Sequence, residues 1–312
     1  MLNLTKMELY RLSKIKLIFV LPIILLVFAL LNGLILQKMN VEAIGISESM
    51  MEYSTNEETD LGQSMVDGFK TGFEAGLSMS EEEQDDSLNF DFGNLFSGGV
   101  FANADVPEMF AQYVTSIFEF LCMAMLAGVF FGADYSTSFV KNLVYTNGDR
   151  KKTYFAKALV IGIAALAMHI VTLISVIISN AIFSDKLMFN FDGAFFAYFF
   201  ISLLMLISFA LIVGAAVYVT GRGWVGIIVG IIDSCGVISL IAILINLFVN
   251  YIFANRLEES FDLNNYYVAG ATQQLTLNAD GKRVVTTIIV GLVFAALSVL
   301  LSIRAANKRD IV

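Results

Sequence analysis

AFFAYFFISLLMLISFALIVGAAVYVT, residues 194–220, runs from Ala194 to Thr220 without a charged side chain. As a helix it rises about 40 Å at ~1.5 Å per residue, more than the ~30 Å hydrocarbon core of a bilayer. Hydrocarbon offers no water to the peptide groups, so a crossing segment must satisfy its amides internally, as a helix does. Five further runs of this kind occupy residues 17–36, 113–133, 157–183, 224–250 and 284–303. The sequence therefore predicts an all-α integral membrane protein with six transmembrane helices. The composition agrees: 57% of residues are hydrophobic, 15% are charged, and the mean hydropathy is +0.76. A soluble domain carries about 25% charged residues. The run at 17–36 is longer than a signal-peptide core and lacks a small-residue cleavage pattern, so it reads as a retained first span behind a lead-in helix at 1–16. The fifth run is long enough to tilt, break or project beyond the bilayer.

Basic residues set the orientation. If the N-terminus lies inside, the inner segments hold Lys6, Arg11, Lys14, Lys16, Lys141, Arg150, Lys151, Lys152, Lys157, Arg222, Arg304, Lys308 and Arg309. The outer segments hold Lys38, Lys70, Lys186, Arg256, Lys282 and Arg283. This bias places both termini, including the tail 304–312, in the cytoplasm. The segment 37–112 then becomes a large extracytoplasmic piece between the first and second spans. It is strongly acidic around Glu81-Glu82-Glu83-Gln84-Asp85-Asp86 and has phenylalanines (Phe90, Phe92, Phe96, Phe101) before the second span. Its negative field would attract a cationic peptide or metal ion, although acidic outer loops are also ordinary solvated surface.

Several chemistries lack their residues. There is no phosphate-binding loop of the G-x-x-x-x-G-K-[ST] type, no H-E-x-x-H, no G-x-S-x-G, and only one histidine. The expectation is a non-enzyme with no metal site and no cofactor of its own. A net charge of −9 argues against nucleic acid as a partner. Cys122 and Cys235 both lie in apolar runs and read as small buried hydrophobes.

The most informative polar stretch is the inner loop 134–156. Phe139, Val140, Leu143 and Val144 fall on one side of a short helix with Lys141 opposite. Asn147-Gly148 suits its end, and Asp149 suits the cap of the next helix, which enters through Arg150-Lys151-Lys152 and Tyr154. By physics alone this is either an interfacial helix with snorkelling lysines or a docking element.

In this loop the chain resembles the permease subunits of ABC-2 type transporters. The matching residues are Asp134-Tyr135, Ser136-Thr137-Ser138, Lys141-Asn142-Leu143, Gly148, Arg150-Lys151, Tyr154 and Lys157. Glu8-Leu9-Tyr10-Arg11 through Lys16 looks like the family's lead-in, and Lys308-Arg309-Asp310-Ile311 like its ending. Asp134 stands where Glu is more usual, and Ser138-Phe139 where Gly-Thr is frequent. The resemblance implies a coupling helix, with Phe139, Lys141, Leu143, Val144, Gly148, Arg150, Lys151 and Tyr154 seated against a separate ATP-binding-cassette ATPase. It also implies a second permease chain, identical or related, with ATP and Mg bound by the ATPases. The setting would be a bacterial cytoplasmic membrane, and the activity export. On that analogy and the acidic outer segment, peptide is the leading substrate class, including bacteriocin or antimicrobial-peptide export and immunity.

Within the spans, Ala124-Gly128-Gly132, Ala210-Gly214 and Gly226-Gly230 place small residues at four-residue spacing, which suits close packing within the chain. Asp233 is a mid-membrane acid, and with Ser234, Asn246 and Asn250 it gives the fifth helix a polar side. Asp233, Asn246 and Asn250 are candidates for lining a pathway, with Asp233 read either as an ion site or as a packing residue. His169 reads as a satisfied interior histidine, and Glu119 as a residue near the outer interface. Two rival functions remain. One is an ion-coupled secondary transporter using Asp233 and His169; the other is a non-transporting sensor or assembly protein.

Overall fold

The computed structural model describes residues 2–34, 105–136, 150–183, 189, 191–253 and 261–308. Among these residues there is no β-strand. The chain opens with α1 (Leu2–Lys14), turns at Ile15, and continues as α2 (Leu17–Leu34). Next come α3 (Val106–Thr115) and α4 (Ile117–Ser136), parted by an extended residue, Ser116. Then follow α5 (Arg150–Phe183), α6 (Gly193–Thr220), α7 (Gly223–Ser234) and α8 (Val237–Phe253). A 3-10 turn (Leu263–Tyr266), α9 (Val268–Gln273) and α10 (Gly281–Lys308) complete it.

Five of these helices, α2, α4, α5, α6 and α10, are long and apolar enough to cross a membrane; the number is six if α7 and α8 form one bent span. The expected single helix over 224–250 is thus two helices meeting at 52°. Its apolar run passes unbroken through the bend, so hydropathy gave no sign of the break. At about 18 Å, α7 alone is too short to cross.

α6 is the central post. Asp192 caps it, its carboxylate accepting from the Phe195 amide at 2.8 Å. Gly221, at φ 71°, ends it in the left-handed conformation that favours glycine. About 72% of its apolar window is buried, against 22% for α2 and for α10. α10, α4, α7 and α5 pack around it.

The small residues form a seam within the chain. A Cβ at Gly132 would stand 2.6 Å from the Gly223 Cα, and one at Gly230 2.4 Å from the Ala124 Cβ. Such contacts require that α4 and α7 lie backbone against backbone. Gly226 faces Val213 and Val217 of α6, and Gly214 faces the Phe131 ring of α4.

α5 shows what solvent this fold suits. Its exposed residues are Phe155, Leu159, Ile163, Leu166, Ile170, Ile174, Ile178 and Ile182, an apolar stripe at helical spacing. Its buried residues include Lys157, His169, Thr172, Ser175, Ser179 and Asn180. Polar groups inside and bare aliphatic groups outside reverse the arrangement of a water-soluble helix. Facing acyl chains, the same stripe carries no penalty.

Candidate functional site: a buried charge cluster at the helix feet

Four charged residues from three parts of the sequence meet at one end of the bundle. Glu8 and Arg11 lie one turn apart on α1, so their side chains share a face. Asp134 sits in the last turn of α4, and Lys157 two turns into α5. Arg11 holds both Glu8 oxygens, at 3.1 and 3.0 Å, and reaches Asp134 Oδ1 at 3.1 Å. The Lys157 ammonium pairs with Asp134 Oδ2 and lies 3.8 Å from Glu8 Oε2. Tyr218, near the end of α6, donates its hydroxyl to Asp134 Oδ2 at 3.3 Å.

Glu8, Asp134 and Lys157 are almost wholly buried, while Arg11 keeps 19% of its side chain exposed. Two carboxylates face two cations, so the cluster is neutral overall. Burial pushes the Glu8 carboxyl up; Lys157 and Arg11 pull it back, and the Asp134 charge adds to the rise. The Lys157 ammonium also stands 5.1 Å from the Phe130 ring centre. An aromatic patch surrounds it: Tyr154 meets Tyr218 edge-on at 5.3 Å and stacks on Phe131 at 6.4 Å.

This arrangement ties α1, α4, α5 and α6 together. Breaking a buried pair by removing one partner costs about 3–5 kcal/mol. The helix feet are therefore held as one unit.

A second polar group lies further along α5. His169 Nδ1 is 2.8 Å from Glu119 Oε1, and Nε2 is 3.0 Å from Ser202 Oγ. Both ring nitrogens are thus engaged, as a buried histidine requires. Glu119 is fully buried, which corrects its expected place at the interface. The cause is α3. Its Phe110 lies edge-on to His169 at 5.1 Å, and its Ala111 carbonyl accepts from Tyr198 at 3.0 Å, so the helix covers the Glu119–His169 pair.

The expected site residues separate into three groups. Phe139, Lys141, Leu143, Val144 and Gly148 lie outside the described residues, as do most of the outer segment 37–112 and the chain beyond Lys308. Arg150 and Lys151 open α5, and Tyr154 is buried in the aromatic patch. Asn246 and Asn250 lie on α8, across the helix break from Asp233. Asn246 donates to Asp262 at 2.7 Å and accepts from the Leu263 amide at 2.7 Å. Asn250 exchanges hydrogen bonds with the Phe261 backbone at 3.1 and 2.8 Å. Both amides are committed to fastening the returning chain on α8. Cys235, expected to be buried, is exposed at the helix break; Cys122 is buried.

Lys157 was legible only in part, and Tyr218 not at all. Lys157 matches the loop pattern but counts in sequence as a surface base, and Tyr218 gives no sequence signal. No group of three His, Cys, Asp or Glu side chains that could hold a metal ion occurs among the described residues.

Among the described residues the fold is all-helical and of membrane-embedded character, with polar groups gathered inside the bundle. No family model, curated protein or solved structure matches the chain.

Proposed function

We propose that the chain is the membrane-spanning permease subunit of an ATP-binding-cassette exporter. It works with a separate ATPase that supplies ATP and Mg, and with a second permease chain. It sits in a bacterial cytoplasmic membrane with both termini inside, and peptide is its leading substrate class. One observation carries this reading. The resemblance picks out Glu8 and Arg11 in the lead-in, Asp134 before the loop, and Lys157 after it. These four residues converge in one buried cluster. A push on the 137–149 loop would reach α4 through Asp134 and α5 through Lys157, and α1 would move with both. The bundle would then alternate access on either side as rigid helices tilt.

The test is charge reversal at the entry of α5 in a chain co-expressed with its ATPase. With Arg150→Glu, Lys151→Glu and Lys152→Glu, the complex should lose substrate-stimulated ATP hydrolysis while the permease still inserts and folds. Undiminished coupling in that variant would remove the loop from the mechanism.

A specific feature favours one alternative, an ion-coupled secondary transporter. The fifth span is broken beside a buried acid, as the ion sites of many such transporters are. Transport that needs an ion gradient and proceeds without nucleotide would establish that reading in place of the first.

A further inference from the structure

α7 ends at Ser234 and α8 begins at Val237, with Gly236 between them at φ 73°. The hydrogen-bond ladder changes there. The Cys235 amide donates to the Ile231 carbonyl at 2.8 Å, and the Gly236 amide to the Asp233 carbonyl, three residues back, at 3.3 Å. The next bond runs from the Leu240 amide to the Gly236 carbonyl at 3.0 Å. The carbonyl end of α7 and the amide end of α8 thus meet inside an apolar run, about 15 Å along from the start of α7. That is close to the middle of a ~30 Å hydrocarbon core.

Asp233 is the penultimate residue of α7. It is 6% exposed, and its Oδ1 is buried without a hydrogen-bond partner. Its neighbour Ser234 does not help, because that hydroxyl turns back to the Gly230 carbonyl at 2.6 Å. An ionised carboxylate left so in hydrocarbon costs several kcal/mol, so a positive charge must accompany it.

Among the described residues of the helices packed on α7, no side chain supplies that charge. The helices packed on α7 are chiefly α4, α6 and α8. α4 offers Glu119, Cys122, Asp134 and Tyr135, while α6 and α8 offer only tyrosines. Across the break Tyr267 bonds to Ser239. Burial pushes the Tyr267 hydroxyl up to about 12; the Ser239 bond works against the rise, and the charges of Asp233 and Asp262 add to it. Tyr267 therefore stays neutral, and Cys235 in the break carries no positive charge. A divalent ion would call for several carboxylates, and no such group occurs among the described residues. One carboxylate matches one positive charge.

We propose that Asp233 and the helix break form a binding site for a monovalent cation, a proton or a dehydrated alkali-metal ion. The carboxylate is the charged ligand, and the carbonyl end of α7 supplies dipoles of the same sense. Binding lets the broken span pack; release leaves a bare carboxylate that draws the span toward water. The inference does not depend on which motor drives the protein.

Infrared difference spectroscopy on the purified full chain in lipid nanodiscs tests this. The protonated-carboxyl stretch is titrated with pH in choline chloride, then in NaCl and KCl. In choline, wild type should show a band that disappears as pH rises and is missing from Asp233→Asn. Where an alkali ion competes with the proton, its salt moves the midpoint down by about one pH unit per tenfold excess over its Kd. A midpoint indifferent to both salts identifies the resident as the proton. If Asp233→Asn fails to fold, Asp233→Glu keeps the carboxyl, and its shifted band makes the assignment. A band that is absent, that never titrates, or that is unchanged in frequency in Asp233→Glu overturns the proposal.

Discussion

Replacing Lys157 by methionine removes the most deeply buried cation of the cluster and keeps most of the side-chain volume. Asp134 would then face Arg11 and the Tyr218 hydroxyl alone, and Glu8 would lose its second partner. Leaving a buried charge uncompensated costs about 3–5 kcal/mol. At ~2.1 cal/mol/K per residue of unfolding entropy, a chain of 312 residues should drop in Tm by about 5–8 °C. Thermal unfolding in lipid nanodiscs at a fixed scan rate reads this directly. The double variant Asp134→Asn/Lys157→Met restores charge balance, because Glu8 and Arg11 still neutralise each other. It should recover most of the loss, giving strong non-additivity with Asp134→Asn alone. A fall below about 2 °C in the single variant, or a double variant as unstable as both singles combined, would refute the buried-cluster reasoning.

Glu8 gives a test with a defined sign. Its carboxyl is raised in the folded state, chiefly by burial. The stability it contributes is therefore full below the ordinary glutamate value of about 4.3, and is lost as pH rises through the raised one. Glu8→Gln should gain on wild type in Tm across that window and then hold a constant offset; a flat offset from pH 4 to 8 contradicts the assignment. At the helix seam, Gly132→Ala forces a methyl against the Gly223 backbone. It should cost about 1–3 kcal/mol, whereas Gly193→Ala, which meets nothing within 4 Å, should leave Tm unchanged or slightly higher. Equal melting of the two variants would mean α4 and α7 do not touch there.

The apolar runs were legible because hydrocarbon demands length and continuity, and every long run but the fifth holds one helix long enough to cross a membrane. The break at Gly236 was not, because a single glycine flanked by Cys235 and Val237 leaves the hydropathy continuous. The length of the run and its polar residues, Asp233 first among them, hinted that this span differs. Glu119 was misjudged for a related reason. Its position near the end of a run says nothing about α3, which folds over it from a stretch that reads as outer segment. Lys157 illustrates the opposite case. Counting bases for orientation treats it as surface charge, and only the convergence of α1, α4 and α5 reveals a buried partner. Pairing across more than a hundred residues, as between Arg11 and Asp134, cannot be read from local pattern. The small-residue seam could be read, since four-residue spacing and close backbone approach are one constraint seen twice.

The exporter account rests on a nucleotide-driven partner engaging the loop between α4 and α5. The most direct measurement is to solubilise the tagged chain from its native membrane in mild detergent and determine what accompanies it, and in what ratio. The account predicts an ATP-binding-cassette ATPase in equal amount, and its release when Lys141 and Arg150 are changed together to glutamate. A transport-competent preparation with no such ATPase contradicts it.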